Sequence, residues 1–394
     1  MYSHLVVPDH SDDHSDPGYS PWVAMHLIRA YADLRQQAYM AAGQLLAPVL
    51  HVEMSVAQRL RVLRVLSVCA HAEGRFEASV NYISEAMDLA TRTNDLMAYY
   101  DLGSIGAIAA HDWQRFDLAA DYYGIALDAL QSTRAEVPSA NLDETFAISS
   151  ECSLFTSIGI EAFLLADYEQ AQQCLRHAHR LLRILPSASP QQNKLEGRMR
   201  WMNAYVARWK GDWSLAQQEA IAALALYESG GRAIEIGRLH VAIADLYLDV
   251  VAPLGGPHIT RVVADGERNA ALDRTGPHLL RALAITHAEG DSAGEGLAML
   301  SHARYLCASG AHQEAIARIL EVEDLAFQLR DYPLLAQALT LHGDAHVGLS
   351  ELGQATTCYE LALDALGSSN APAYQKWPMR AILTLQEWSV DSKE

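Results

Sequence analysis

Small and apolar residues recur along this chain with two superposed periods. Within segments the spacing is helical, and the segments themselves repeat every 40 to 59 residues. The stretches GRFEASVNYISEAMDLA from Gly74, QRFDLAADYYGIALDAL from Gln114, ADYEQAQQCLRHAHRLL from Ala166, GDWSLAQQEAIAALALY from Gly211, GAHQEAIARILEVEDLA from Gly310 and ELGQATTCYELALDALG from Glu351 each open with a turn and run into an Ala-rich helix. Each follows a helix with a small residue twelve places before the one that opens the second helix. The leading residues are Ser67, Ala107, Gly159, Ala204, Ala303 and Gly343, and their partners are Ser79, Ala119, Ala171, Ala216, Ala315 and Ala355. Seven places further on come Ala86, Ala126, Ala178, Ala223, Val322 and Ala362. A seventh leading residue, Ala244, sits in RLHVAIADLYLDVV.

Antiparallel helices approach closely only where their side chains are small, so this register predicts helical hairpins. One hairpin cannot bury its own apolar face, so the hairpins are expected to stack on their neighbours. The leading residues lie 40, 52, 45, 40, 59 and 40 apart. The long gap of 59 marks an insertion at 252–278, with two Gly-Pro steps, expected as a projecting loop with a short helix around Ile259–Ala271. The extra dozen residues in the gap of 52 fall at STRAEVPSANLDE, where Pro138 and Asn141 end one helix and start the next.

Gly343, Ala355, Tyr359 and Ala362 of the last unit match the small and aromatic positions of the tetratricopeptide repeat, which the array resembles over roughly residues 55–370. The spacing exceeds that family's norm of about 34 residues, implying helices longer by about a turn, similar to the repeat domains of bacterial peptide-sensing regulators. The resemblance implies an all-α fold, a right-handed α-α superhelix of about seven hairpins with capping helices. Residues 1–20, rich in Ser, Asp, His and Pro, read as a disordered tail. Residues 21–54 read as N-terminal capping helices, with Trp22, Met25, Ile28, Leu34 and Tyr39 as their apolar spacing. Residues 371–394 read as a C-terminal cap and tail, helical over Ala373–Trp388.

Half of the 394 residues are apolar, enough for a substantial core, yet no apolar run approaches the roughly 20 residues of a membrane helix. The first residues lack the basic and apolar stretches of a secretory signal. Five scattered cysteines show no metal or redox spacing, as expected of a reducing cytoplasm. A formal net charge of −19 argues against a dedicated nucleic-acid binder.

No nucleotide-binding or hydrolase motif is present, so the chain reads as a non-enzyme without a cofactor. His342 and His346 share a helix face at a spacing that can hold zinc, but no third ligand is near in sequence, and core packing is the preferred reading. His4, His10 and His14, with four aspartates, form a tail able to bind metal only adventitiously. His177 and His179, two apart, face different ways.

In tetratricopeptide arrays the first helix of each unit lines the groove, and the resemblance places groove residues at −6, −3, +1, +4 and +5 from the leading residue. The fourth unit then presents Arg198, Trp201, Tyr205, Arg208 and Trp209. Arg61, Arg64 and His71 come from the first unit, Asp101, His111 and Asp112 from the second, Arg238, Asp245 and Asp249 from the fifth, and Arg304 from the sixth. Between Arg176 and Lys210 there are eight basic residues and one acidic residue, Glu196. Arg198, Trp201, Tyr205, Arg208 and Trp209, extended by Arg64, Arg238 and Arg304, are the candidate site for an anionic or extended peptide ligand. The leading reading is a cytoplasmic protein- or peptide-binding regulator or sensor, with no direct contact to nucleic acid or membrane. The alternatives are a phosphatase-like regulator, using Gln36 and Gln37 to orient a water, and a structural scaffold.

Overall fold

The computed structural model describes residues 18–136, 143–185, 190–230, 233–251, 254, 265–367 and 371–391. Every regular element among them is helical. Two short helices, α1 (Pro21–Arg35) and α2 (Tyr39–Leu46), come first. They are followed by α3 (Val56–Ala72), α4 (Phe76–Thr93), α5 (Leu96–Asp112), α6 (Phe116–Glu136), α7 (Glu144–Leu164) and α8 (Tyr168–Leu182). Then come α9 (Pro190–Lys210), α10 (Trp213–Glu228), α11 (Ala233–Val251), α12 (Asp265–Ala288), α13 (Ser292–Ala308) and α14 (His312–Leu329). The last are α15 (Tyr332–Gly348), α16 (Leu352–Gly367) and α17 (Lys376–Asp391), with a 3₁₀ turn at Pro372–Gln375 before α17. The chain forms two compact units, Met1–Glu161 and Ala162–Glu394.

The small-residue register is where the helices meet. All seven leading residues, their six partners and the third residue of each set are buried. The reason is steric. A Cβ added at Gly343 would overlap the ring of Tyr359, itself fully buried and donating from its hydroxyl to Asp344 at 2.7 Å. In the second unit the resulting cores are layered: Ala204, Ala216, Ala220, Ala223, Leu239 and Ile243 form one, and Ala303, Ala315, Ile319, Val322, Leu334 and Leu341 another.

The turns within the repeats obey the same register. Gly74, Gln114, Ala166, Gly211, Gly310 and Ser350 have φ between 61° and 84°, and each is the seventh residue after a leading residue. This left-handed residue lets the next backbone N–H reach back to the ending helix, as Arg75 does to Ala70 O (2.8 Å) and Glu351 to His346 O (2.8 Å). Asp167 and Asp212 then cap α8 and α10 by accepting from Gln170 N and Leu215 N.

The fifth repeat departs from this pattern. Val251, seven after Ala244, is still helical, so no turn forms there. The expected loop over 252–278 is corrected from Asp265 onward: those residues begin α12, a 24-residue helix that tolerates Pro277 and packs along α11. Most of 252–264, and Pro138 and Asn141, lie outside the described residues.

The N-terminal segment is helical as expected, and Leu34 of the expected stripe is buried, but the first two turns bury a different face. Val23, Leu27, Ala30, Tyr31 and Leu34 are buried, whereas Trp22, Met25 and Ile28 are exposed. Spacings of three residues fit either face, and Val23 with Leu27 and Ala30 won because α1 lies against α2 and α3 on that side. Ser20 fixes this entry: its N–H donates to Gln58 Oε1, and Gln58 Nε2 donates to its carbonyl, both at 2.9 Å. At the other end α17 covers the last repeat, burying Ala381 with Val347, Ala355 and Tyr359.

Candidate ligand face on the first helices

Within the second unit, the face of α9 that carries Trp201, Tyr205 and Trp209 is built from aromatic rings. Trp209 meets Phe163 edge-on at 5.3 Å, stacks on Tyr168 at 5.8 Å and lies 5.3 Å from Trp377. Trp201 and Tyr205 are 6.3 Å apart, and Tyr205 is 6.1 Å from Phe163. The ammonium of Lys376, at the start of α17, sits 3.0 Å from the centroid of the Trp209 ring. Trp377 also packs on Tyr374 and on the core of α13 to α15, so the C-terminal segment is anchored against α9. Arg380 donates to Leu254 O at 2.7 Å.

Charge on this face is arranged in a network spanning three first helices. Arg208 of α9 holds Asp249 of α11 through two nitrogens and lies 3.6 Å from Asp245. Arg304 of α13 donates to the same two aspartates, at 2.9 Å to Asp245 and 2.6 Å to Asp249. Ser301 donates to Asp245 at 2.7 Å. Burial alone would raise the Asp249 carboxyl, but Arg208 and Arg304 outweigh it and hold it below the usual carboxylate range. Arg238 of α11 is bound by Asp291 through two bonds of 2.6 and 2.7 Å.

The expectation of an open positive strip is therefore corrected at Arg208, Arg304 and Arg238, each of which faces an internal carboxylate. Sequence offsets did place Arg208, Asp245, Asp249 and Arg304 on a common face. They could not say that these charges would satisfy one another. Arg198 is half-buried on α9, two turns before Tyr205, with Trp201 between them.

Charge on this face is mixed. Lys376 is pushed down to about 8 by burial and then by Arg208 and Arg380, with Asp249 opposing. Five cations (Arg208, Arg238, Arg304, Lys376, Arg380) share this region with the carboxylates Asp245, Asp249, Asp291, Glu235 and Asp331, so it is less acidic than the chain of net −19 as a whole. The participation of Lys376 and Trp377 was missed from sequence. The only signal was the KW pair beside the cap helix, with nothing to tie it to a residue more than 160 positions earlier.

The first unit carries simpler pairs between its own first helices. Arg64 of α3 meets Asp101 of α5 at 3.2 Å, His71 meets Asp112 at 2.7 Å, and His111 of α5 meets Glu161 of α7 at 2.9 Å. Arg64 thus belongs to a different unit from the other candidate residues. Gln36 and Gln37 lie at the C-terminal end of α1, in the turn before α2 and exposed, with Gln37 at φ 59°.

No protein-family model matches the chain, and no curated protein matches it by sequence. Solved structures do match. A Rap protein complexed with competence and sporulation factor superposes with a TM-score of 0.64 over 89% of this chain and 87% of its own, at 12% identity. The chain has the tetratricopeptide-type helical-repeat fold. The quorum sensor NprR in complex with its cognate peptide NprX gives 0.53 at 14% identity, covering 88% of each chain. Aspartyl phosphate phosphatase F from Bacillus subtilis gives 0.58 at 12% identity, over 85% of this chain and 75% of that one. Among the described residues no helix is long and apolar enough to cross a membrane.

Proposed function

We propose that the chain is a peptide-binding regulatory repeat protein, working in the cytoplasm, whose ligand is an extended acidic peptide seated on the first-helix face of α9 and α11. The observation that carries this reading is the α9 face on which Trp201, Tyr205 and Trp209 meet, with the Lys376 ammonium seated on Trp209, inside an acidic chain. Trp209 and Arg208 act as the floor of the seat: Trp209 is covered by Tyr168, Trp377 and Lys376, and Arg208 is committed to Asp249. Lys376 and Arg380, both exposed, supply the accessible charge, with Arg198 and Trp201 extending the face along α9. Ion pairing gives selectivity for an acidic partner, because the surrounding negative charge repels misplaced carboxylates. Two structural neighbours are complexes, one with competence and sporulation factor and one with the cognate peptide NprX, which supports this reading of the face.

Panning the full chain against displayed random heptapeptides tests the idea. Acidic sequences should be enriched, and Lys376→Glu should weaken the best of them by about tenfold or more while thermal melting stays close to wild type. Binding should also weaken as pH rises from 7 to 9, because Lys376 loses its charge near pH 8. Absence of acidic enrichment, or peptides indifferent to Lys376→Glu and Arg198→Glu, would overturn the assignment.

A further inference from the structure

His342 and His346 lie one turn apart on α15, with rings 4.9 Å apart and only 14° from parallel. The sequence supplies no nearby third ligand, but the hairpin does. Cys358 of α16 is a free thiol, and one ligand atom from each of the three residues lies within 4.8 Å of the others.

The histidines are also oriented. His342 Nδ1 is 2.8 Å from Glu323 Oε1 of α14, and His346 Nδ1 is 2.7 Å from Glu351 Oε2 in the turn before α16. A carboxylate only accepts, so each Nδ1 carries a proton, and in the neutral imidazole Nε2 then keeps its lone pair for a metal. Two carboxylates that lock the tautomer of two adjacent imidazoles reproduce the carboxylate–histidine–metal arrangement.

We infer that His342, His346 and Cys358 form a binding site for a zinc-like divalent transition metal, with Glu323 and Glu351 as positioning residues. Two imidazoles and a thiolate suit zinc or its neighbours and not magnesium or calcium, which take oxygen ligands. A tetrahedral ion with bonds of about 2.0 Å to nitrogen and about 2.3 Å to sulfur spaces its ligands about 3.3 to 3.6 Å apart. Side-chain rotation of about 1 Å therefore closes the site. Both histidines are partly open to solvent, so water fills the fourth position and the ion can exchange. As the S–H bond gives way to a metal–sulfur bond, one proton passes to solvent per ion bound. The ion would join α15 to α16 across the same hairpin that Gly343 and Tyr359 close.

Cobalt(II), titrated into the full chain, reports on the site directly. One equivalent should produce thiolate-to-cobalt charge transfer and the visible bands of a tetrahedral ion, and zinc should displace it and raise the melting temperature. The His-rich N-terminal tail can bind cobalt but offers no thiolate, so it cannot mimic the charge-transfer band. Cys358→Ser should abolish that band, His342→Ala should weaken binding at least as much as Glu323→Gln, and Glu323→Gln by about 10- to 100-fold. Should Cys358→Ser fail to fold, His346→Ala, at a position partly open to solvent, carries the same test. Folded wild-type protein without a thiolate band, or a band that survives loss of Cys358 or of the histidines, would overturn the site.

Discussion

Both units place charge on their first helices, yet use it differently. In the first, Arg64 faces Asp101 in a pair that still reaches water, with side chains 23% and 31% exposed. In the second, Arg208, Arg304, Asp245 and Asp249 form one network in which Arg304 retains 2% exposure and Asp249 8%. A solvated pair is held loosely and screened by salt, whereas a buried network has already given up its water and depends on every member. Charge on a first helix is thus a surface pair in one unit and part of a buried structural network in the other.

Breaking the network should have the largest effect. Asp249→Asn removes one of the two carboxylates that both arginines share and leaves Asp245 alone to meet two guanidinium groups in a low-dielectric site. It should cost about 3–5 kcal/mol in urea denaturation, against a few tenths for most exposed charges. A loss below about 1 kcal/mol would mean that the network is solvated and that the contrast between the units is illusory. For the same reason the charge reversal Arg208→Glu is a poor probe of ligand binding, since it disrupts folding as well.

Helix contacts should show no such contrast. Ala107 of α5 and Ala204 of α9 are both buried leading residues, one in each unit. Ala107→Leu and Ala204→Leu should each overpack a helix pair and cost about 1–3 kcal/mol in thermal or chemical unfolding. Near-equal losses would place the difference between units in their charged faces alone.

This division explains what could be read from sequence. The hairpin contacts follow from steric rules acting within about 20 residues, so Ser67 with Ser79 or Gly343 with Ala355 and Tyr359 announce themselves by spacing. The small-residue spacing also set the turn: Gln114, Ala166 and Ser350 adopt positive φ without being glycine because the repeat demands it there. Faces that depend on distant partners were less legible. Arg208 finds Asp249 41 residues away, Arg304 finds Asp245 59 residues away, and Trp209 finds Lys376 and Trp377 from the chain's other end. Cys358 escaped for a related reason, because it approaches His342 and His346 only once α16 folds back on α15. At the N-terminus, Trp22 and Val23 both begin helical apolar stripes, and only the docking of α1 chooses between them.

Acid separates two further features of the second unit. His240 of α11 and His278 of α12 place their Nδ1 atoms 2.8 Å apart. Burial, then His278 and Arg281, lowers His240 to about 4, and His278 is lowered as well. The unfolded chain therefore takes up protons first as pH falls below about 6.5, so stability is full above that value and declines toward pH 4. Asp249, depressed below its unfolded value near 3.9, keeps its contribution through this window and loses it only at lower pH. Thermal melting between pH 7 and 4.5 should thus fall through the histidine pair, and His278→Gln should flatten the decline. An unchanged slope in that variant would assign acid sensitivity elsewhere.

The smallest effect belongs to the solvated pair in the first unit. Asp101→Asn leaves Arg64 in reach of water, so its guanidinium can rehydrate instead of remaining stranded. The expected cost is about 0–1 kcal/mol in urea at low ionic strength. Because water and ions reach both side chains, that cost should shrink further at 1 M salt, where the screening length is only about 3 Å. Asp249→Asn, by contrast, should lose nearly as much at high salt as at low, since the ions that screen Arg64 cannot enter around Arg304. Measuring both variants at two salt concentrations therefore tests burial itself, independently of the absolute size of either loss. Equal salt dependence in the two would show that the charged faces of the units differ in geometry but not in solvation.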